Sequence, residues 1–147
     1  VTVTREGGCA CGAVRYAVDG PLRDIVVCHC DDCRKATGHA WAATAAHRRD
    51  VSLRESEGLR WRRTIASTTG ARRGRCYRCR TVVFWEVPGR DTVSIGVSTL
   101  DDPSGLVVGA HIWVTQAAAG FELPDDGTPA YPRGIPPGDD APALRWV

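Results

Sequence analysis

Cys28-His29-Cys30-Asp31-Asp32-Cys33 is the stretch whose reading decides the fold, together with Cys9-Ala10-Cys11 before it and Cys76-Tyr77-Arg78-Cys79 after it. All seven cysteines of the 147-residue chain fall in these three runs. Thiolates one and two residues apart can converge on a single metal ion, and Zn²⁺ prefers four such ligands in a tetrahedron. Seven divides into a closed set of four and an open set of three. Closed sites hold folds together, whereas open sites do chemistry or take ligands.

The natural partition joins Cys9, Cys11, Cys76 and Cys79. Gly7, Gly8 and Gly12 flank the first pair and let the backbone turn tightly around a metal. The C-x-x-C run supplies the second pair, and closing so long a loop stabilises most. Cys28, Cys30 and Cys33 are then left with an open fourth position. His29, Asp31, Asp32, His39, His47 and His111 are candidate fourth ligands. Other partitions stay open. A zinc ribbon could pair Cys30/Cys33 with Cys76/Cys79, or a single zinc could leave three cysteines idle. Redox C-x-x-C chemistry lacks the expected βαβ surroundings.

Around the clusters the chain reads as short strands: 13–18, 25–27, 41–46, 51–53, 59–64, 82–85, 92–97 and 112–114. In the first, Val14, Tyr16 and Val18 share one face. The run at 82–85 is continuously apolar, as in a strand buried on both faces. One short helix is expected at 31–37, opened by aspartates and stopped by Gly38, with a further turn at 117–119. After Leu123 the chain changes character, carrying six of its nine prolines. The expected organisation is a zinc-binding β domain over 1–123 and a proline-rich tail over 124–147. The tail wraps the domain through Tyr131, Ile135 and Trp146, or else trails from it. The fold class expected is all-β.

Nineteen basic against 17 acidic side chains leave a net charge of +2, too balanced to argue for nucleic acid or a membrane surface. No apolar run approaches a membrane span. The first residues carry no signal-peptide pattern, and an odd number of metal-spaced cysteines points to a reducing cytoplasm. Lys35 is the only lysine beside the many arginines, a composition typical of GC-rich bacterial genomes. Arg34, Lys35, Arg72, Arg73 and Arg75 read as a solvated basic face sooner than as a clamp for substrate carboxylates.

The runs Gly7–Tyr16, Cys28–Gly38 and Cys76–Cys79, followed by Asp91–Ile95, Leu100–Pro103 and His111–Val114, resemble the glutathione-dependent formaldehyde-activating enzyme family. That family also includes centromere protein V. The resemblance covers about residues 5–115. It implies a β-tent zinc fold shared with a mammalian Rab-binding zinc chaperone, and two zinc ions per chain. Cys9, Cys11, Cys76 and Cys79 would hold a structural zinc. Cys28, Cys30 and Cys33 would hold a catalytic zinc open to a glutathione-type thiol. The implied activity is formation or cleavage of thiol–aldehyde adducts, as in an S-hydroxymethylglutathione synthase or carbon–sulfur lyase. A non-catalytic, chaperone-like binding module is the alternative. Two departures stand out. Arg80 occupies a position usually held by glycine, and Ala118-Ala119-Gly120-Phe121 stands where a tryptophan is common.

The open site also has a chemistry of its own. Three thiolates around Zn²⁺ leave a net negative shell, so water is acidified less than on neutral imidazoles and hydrolysis is disfavoured. Such a zinc can still bind an incoming thiol as thiolate, and a thiolate held beside an aldehyde carbonyl can add to it.

Overall fold

The computed structural model of the chain describes residues 3–65, 67–136 and 144–147. Two sheets carry the fold. Strands β1 (Thr4–Gly8), β2 (Arg15–Asp19) and β5 (Val51–Glu55) form an antiparallel sheet with β2 in the middle. The larger sheet contains β3 (Ile25–Cys28), β4 (Trp41–His47), β6 (Leu59–Arg63), β7 (Arg72–Cys76), β8 (Val82–Glu86), β9 (Thr92–Gly96) and β10 (Val108–Ile112). Its order is β10-β3-β4-β9-β8-β7-β6, antiparallel except for the β10–β3 pair.

Alternation sorts the residues between two environments. Tyr16 and Val18 of β2 pack with Phe84, Val93 and Ile95 of the larger sheet in one buried cluster. The Tyr16 and Phe84 rings lie 5.2 Å apart, and the Tyr16 hydroxyl meets Thr99 Oγ1 at 2.8 Å. Each such side chain contributes roughly 1.5–3 kcal/mol by leaving water. On β9, Ser94 lies between Val93 and Ile95 and so faces the other way, toward Val26, Trp41, Ala43 and Trp85. The sheet therefore has a core face and a site face.

The one α-helix among the described residues, α1, spans Asp31–Thr37, as the sequence predicts. Asp31 and Asp32 sit in its first turn, where carboxylates favour the helix dipole. Gly38 ends it in the left-handed conformation at φ +85°. The strand expected at 112–114 lies earlier, at Val108–Ile112. Trp113 turns left-handed at φ +56°, and a 3-10 turn follows at Val114–Gln116 in place of the one expected at 117–119. The cause is the tail. Arg133 O accepts from the Trp113 N–H, and Tyr131 O accepts from that of Val114.

Strands β1 and β7 carry no apolar alternation and have no counterpart in the sequence reading. Among the tail residues, the Tyr131 N–H donates to His111 O at 2.9 Å, and Trp146 stacks on His47 at 4.5 Å. Arg145 grips the buried Asp24 carboxylate with Nε and Nη2, both at 3.0 Å. Pro137 and Pro142 lie outside the described residues.

Candidate metal centres

Cys9 follows β1, Cys76 ends β7, and Cys11 and Cys79 lie in the turns beside them. Their four sulfur atoms fall within 4.8 Å of one another. Cys9 and Cys11 Sγ are 3.7 Å apart, as are Cys11 and Cys76 Sγ. A tetrahedron of Zn–S bonds of about 2.3 Å has edges of about 3.8 Å, so the spacing fits zinc. All seven cysteines are free thiols.

The backbone serves the sulfurs. Val14 N–H donates to Cys9 Sγ at 3.2 Å, and the Thr81 hydroxyl lies 3.2 Å from Cys79 Sγ. At Cys79 the bonds from Thr81 favour the thiolate. Gly58 is needed for a reason that no spacing rule reveals. A Cβ there would stand 2.9 Å from Cys76 Sγ and 2.7 Å from Ala13 Cβ. Arg80 adopts φ +67°, the glycine-type conformation at the position where glycine is usual in the resembling family.

The second cluster comprises Cys28, Cys30 and Cys33, again with sulfurs within 4.8 Å. Cys28 ends β3, and Cys30 caps α1, accepting from the Cys33 N–H at 3.3 Å. The ribbon partition is thereby excluded. Cys30 and Cys33 group with Cys28, while Cys76 and Cys79 group with the N-terminal pair.

None of the six candidate fourth ligands joins the three sulfurs. His29 lies between two cysteines of an extended segment, and its ring packs away from them. Its Nε2 is 3.0 Å from His111 Nδ1, and its ring meets Phe121 edge-on at 4.8 Å. Burial pushes the pKa of both His29 and His111 below the ordinary value. His39 packs against Phe121, and His47 against Trp146. Asp31 pairs with Arg34, and Asp32 with Arg73.

Arg73 is the residue that sequence reasoning misplaces. It is buried at 6% exposure, with Nη2 3.3 Å from Cys33 Sγ and Nη1 3.3 Å from Asp32 Oδ2. Arg72 turns instead to the buried Glu86 carboxylate, its Nε at 2.8 Å from Oε1. The basic face therefore divides, and one of its members enters the site. No composition signal marks this. A strand reading Arg72-Arg73-Gly74-Arg75 shows its inward residue only once its neighbours are placed. Hydrogen bonds from Cys28 and Cys33 hold the Cys30 thiol well below its usual pKa, with Arg73 adding a smaller pull in the same direction.

A cavity of about 500 Å³ opens beside these three cysteines on the site face of the larger sheet. Trp41, Trp85 and Trp113 line it with Val26, Ile112, Arg23 and Arg73. The four-cysteine cluster does not border it.

A mostly β protein with one four-thiol cluster between its sheets and one three-thiol cluster on a cavity is thus the class that fold and site define. The family model described as glutathione-dependent formaldehyde-activating enzyme matches residues 4–116. The chain belongs to that family. A crystal structure of a Rhodobacter sphaeroides protein is similar in fold, with a TM-score of 0.53 at 20% identity. The likeness covers 86% of this chain and 98% of that one. A search among curated proteins gives no match.

Proposed function

We propose that this protein forms or cleaves thiol–aldehyde adducts with two zinc ions, in the manner of an S-hydroxymethylglutathione synthase or carbon–sulfur lyase. The observation that carries the reading is the three-cysteine cluster opening on a cavity, while the four-cysteine cluster stands apart from it. A pure binding module needs only the closed cluster.

Cys9, Cys11, Cys76 and Cys79 would hold the structural ion, and Cys28, Cys30 and Cys33 the catalytic one. Zinc held by Cys28, Cys30 and Cys33 would supply Lewis acidity that favours the thiolate form of a thiol substrate. The chain's own residues do the rest. Arg73 offsets part of the negative charge that three thiolates bring together. The cavity walls would hold sulfur and carbonyl carbon in reach of each other, which converts a bimolecular step into a nearly unimolecular one. In the forward direction a carbon–sulfur bond forms, and the thiol proton ends on the former carbonyl oxygen. Cleavage is the reverse, and neither direction needs an oxidant.

The family's description supports glutathione and formaldehyde as the partners. The cysteine usage supports a cytoplasmic setting. No helix among the described residues is long and apolar enough to cross a membrane. The test is exchange between free and S-hydroxymethylated glutathione in formaldehyde solution, followed by NMR. Acceleration by the zinc-loaded protein and its loss in Cys30→Ser are expected. Equal exchange with and without protein would overturn the reading.

A further inference from the structure

Formaldehyde adds a single carbon to a thiol, yet the cavity beside Cys28, Cys30 and Cys33 holds about 500 Å³. Asp31, Asp32, Arg73 and Gln116 on part of its wall suit glutathione, but the apolar part of the wall does not. That tripeptide is built of amides, carboxylates and an ammonium, which lose hydration against apolar surfaces. Here three tryptophans, Val26 and Ile112 form much of the lining. Trp113 reaches it from the left-handed conformation at φ +56°. Strain of this kind persists where surrounding structure enforces it, and it concentrates at sites. Tryptophan faces favour flat apolar groups by offset or edge contacts.

Arg23 is the second feature. Its guanidinium lines the same cavity and is half-buried. Its hydrogen bonds go to carbonyls, Nε to Asp24 O at 3.2 Å and Nη2 to Ala43 O at 3.3 Å. The Asp24 carboxylate is taken by Arg145. No carboxylate among the described residues pairs with Arg23. A sheltered guanidinium without a counter-ion is a ready anion partner. The contact with Ala43 sets it beside the Val26–Ala43 pair, two residues along from the Cys28–Trp41 pair. That is about 7 Å at roughly 3.3 Å per residue, the span of a ring bearing a carboxylate.

We propose that, besides formaldehyde, the site takes an aromatic or similarly ring-sized aldehyde with an anionic end. Its ring lies among the tryptophans, and its carboxylate pairs with Arg23. The proposal rests on the thiol–aldehyde reading and leaves its bond changes as they are.

Stable thioethers test it without depending on turnover. S-methylglutathione, S-benzylglutathione and S-(4-carboxybenzyl)glutathione are titrated against the zinc-loaded chain by calorimetry and tryptophan fluorescence. The benzyl compound should bind about tenfold tighter than the methyl one, and the carboxybenzyl compound about tenfold tighter again. Arg23→Gln should abolish the second step alone, and Trp85→Leu should shrink the first. The wild-type series decides the matter even if either variant folds poorly. Equal affinities, or tightest binding of the methyl compound, overturn the proposal and leave the thiol–aldehyde reading standing. Free 4-methylbenzoate carries the ring and the anion without the thiol. If it binds, and Arg23→Gln abolishes this, while no glutathione compound binds, the pocket assignment holds and the thiol–aldehyde reading fails. No binding by any of the four compounds overturns both.

Discussion

Arg73 Nη2 stands 3.3 Å from Cys33 Sγ, a guanidinium on β7 reaching a thiol on α1 across the site face of the larger sheet. Both residues are buried. Nη1 of the same guanidinium meets Asp32 on the helix, so one side chain fixes both the charge and the position of the cluster. Arg73→Gln removes the charge and keeps much of the volume. Partners of metal ligands typically govern affinity by about 10–100-fold. Zinc affinity at Cys28, Cys30 and Cys33 is expected to fall by that order, with the four-cysteine site unchanged. Competition with a chromophoric chelator, resolving a weak and a tight ion, measures it.

Loss of Cys76 and loss of Cys30 should differ in kind. Cys76 is fully buried, and its sulfur meets that of Cys11 across 65 positions of chain. Structural zinc supplies about 10–16 kcal/mol of apparent binding energy in small peptides, against a typical net domain stability of about 5–15 kcal/mol. Cys76→Ser should therefore leave little folded protein. Cys28, Cys30 and Cys33 close almost no chain, so Cys30→Ser should keep the wild-type circular dichroism spectrum and lose one zinc. Elemental analysis should give two ions per wild-type chain and one per Cys30→Ser chain. Unfolding of Cys30→Ser with survival of Cys76→Ser would mean the two roles are reversed.

Arg80 holds φ +67° on the surface, where its side chain is exposed. A residue with a Cβ in the left-handed region costs roughly 1–2 kcal/mol, part of which glycine recovers. Arg80→Gly should stabilise the fold by about 0.5–1 kcal/mol, a rise of about 1–4 °C in Tm for a chain of this size. A thermal melt that shows no change or a fall would count against the backbone reading of the turn.

Glu86 titrates with a sign that can be worked through. Burial by itself would raise its pKa, but the flanking Arg48 and Arg72 overcome this and hold it below its ordinary value of 4.5. A carboxylate with a depressed folded pKa adds stability above its unfolded pKa, and the gain fades as pH falls through the folded value. Asp24 behaves alike, held down first by its bond from Arg145. The melting temperature should therefore hold above about pH 4.5 and decline below it. Glu86→Gln should lower the plateau and flatten the decline. Parallel slopes for the two proteins would show that Glu86 does not carry the acid sensitivity.

Sequence rules reach furthest where a local signal and its cause coincide. The helix at Asp31–Thr37 is legible because its aspartates, its cysteine cap and Gly38 are all local. The cysteine partition is legible in part, since spacing favours the four-and-three grouping but leaves the ribbon partition open until the sulfurs are placed. β7 is not, since its arginines leave no apolar stripe, and the burial of Arg73 depends on α1 crossing above it. The end of β10 is set by backbone contacts from residues some twenty positions later. Arg23, too, gives no sign in sequence. What distinguishes it is the removal of Asp24 by Arg145, far along the chain. Long-range pairing of this sort leaves no trace in periodicity.

The tail has a consequence for how copies of this chain meet. Sheet rims with unpaired amides invite strand-by-strand stacking between molecules. At one rim, His111 of β10 and Trp113 just beyond it give their amides to Pro129 and Arg133, so the chain itself occupies that side. At the opposite rim, β6 presents Arg60, Arg62 and Arg63, whose like charges repel a second copy. One rim is shielded by covering and the other by charge. Truncation before Pro129 would undo only the first, and the resulting protein should stack through β10 into salt-insensitive aggregates.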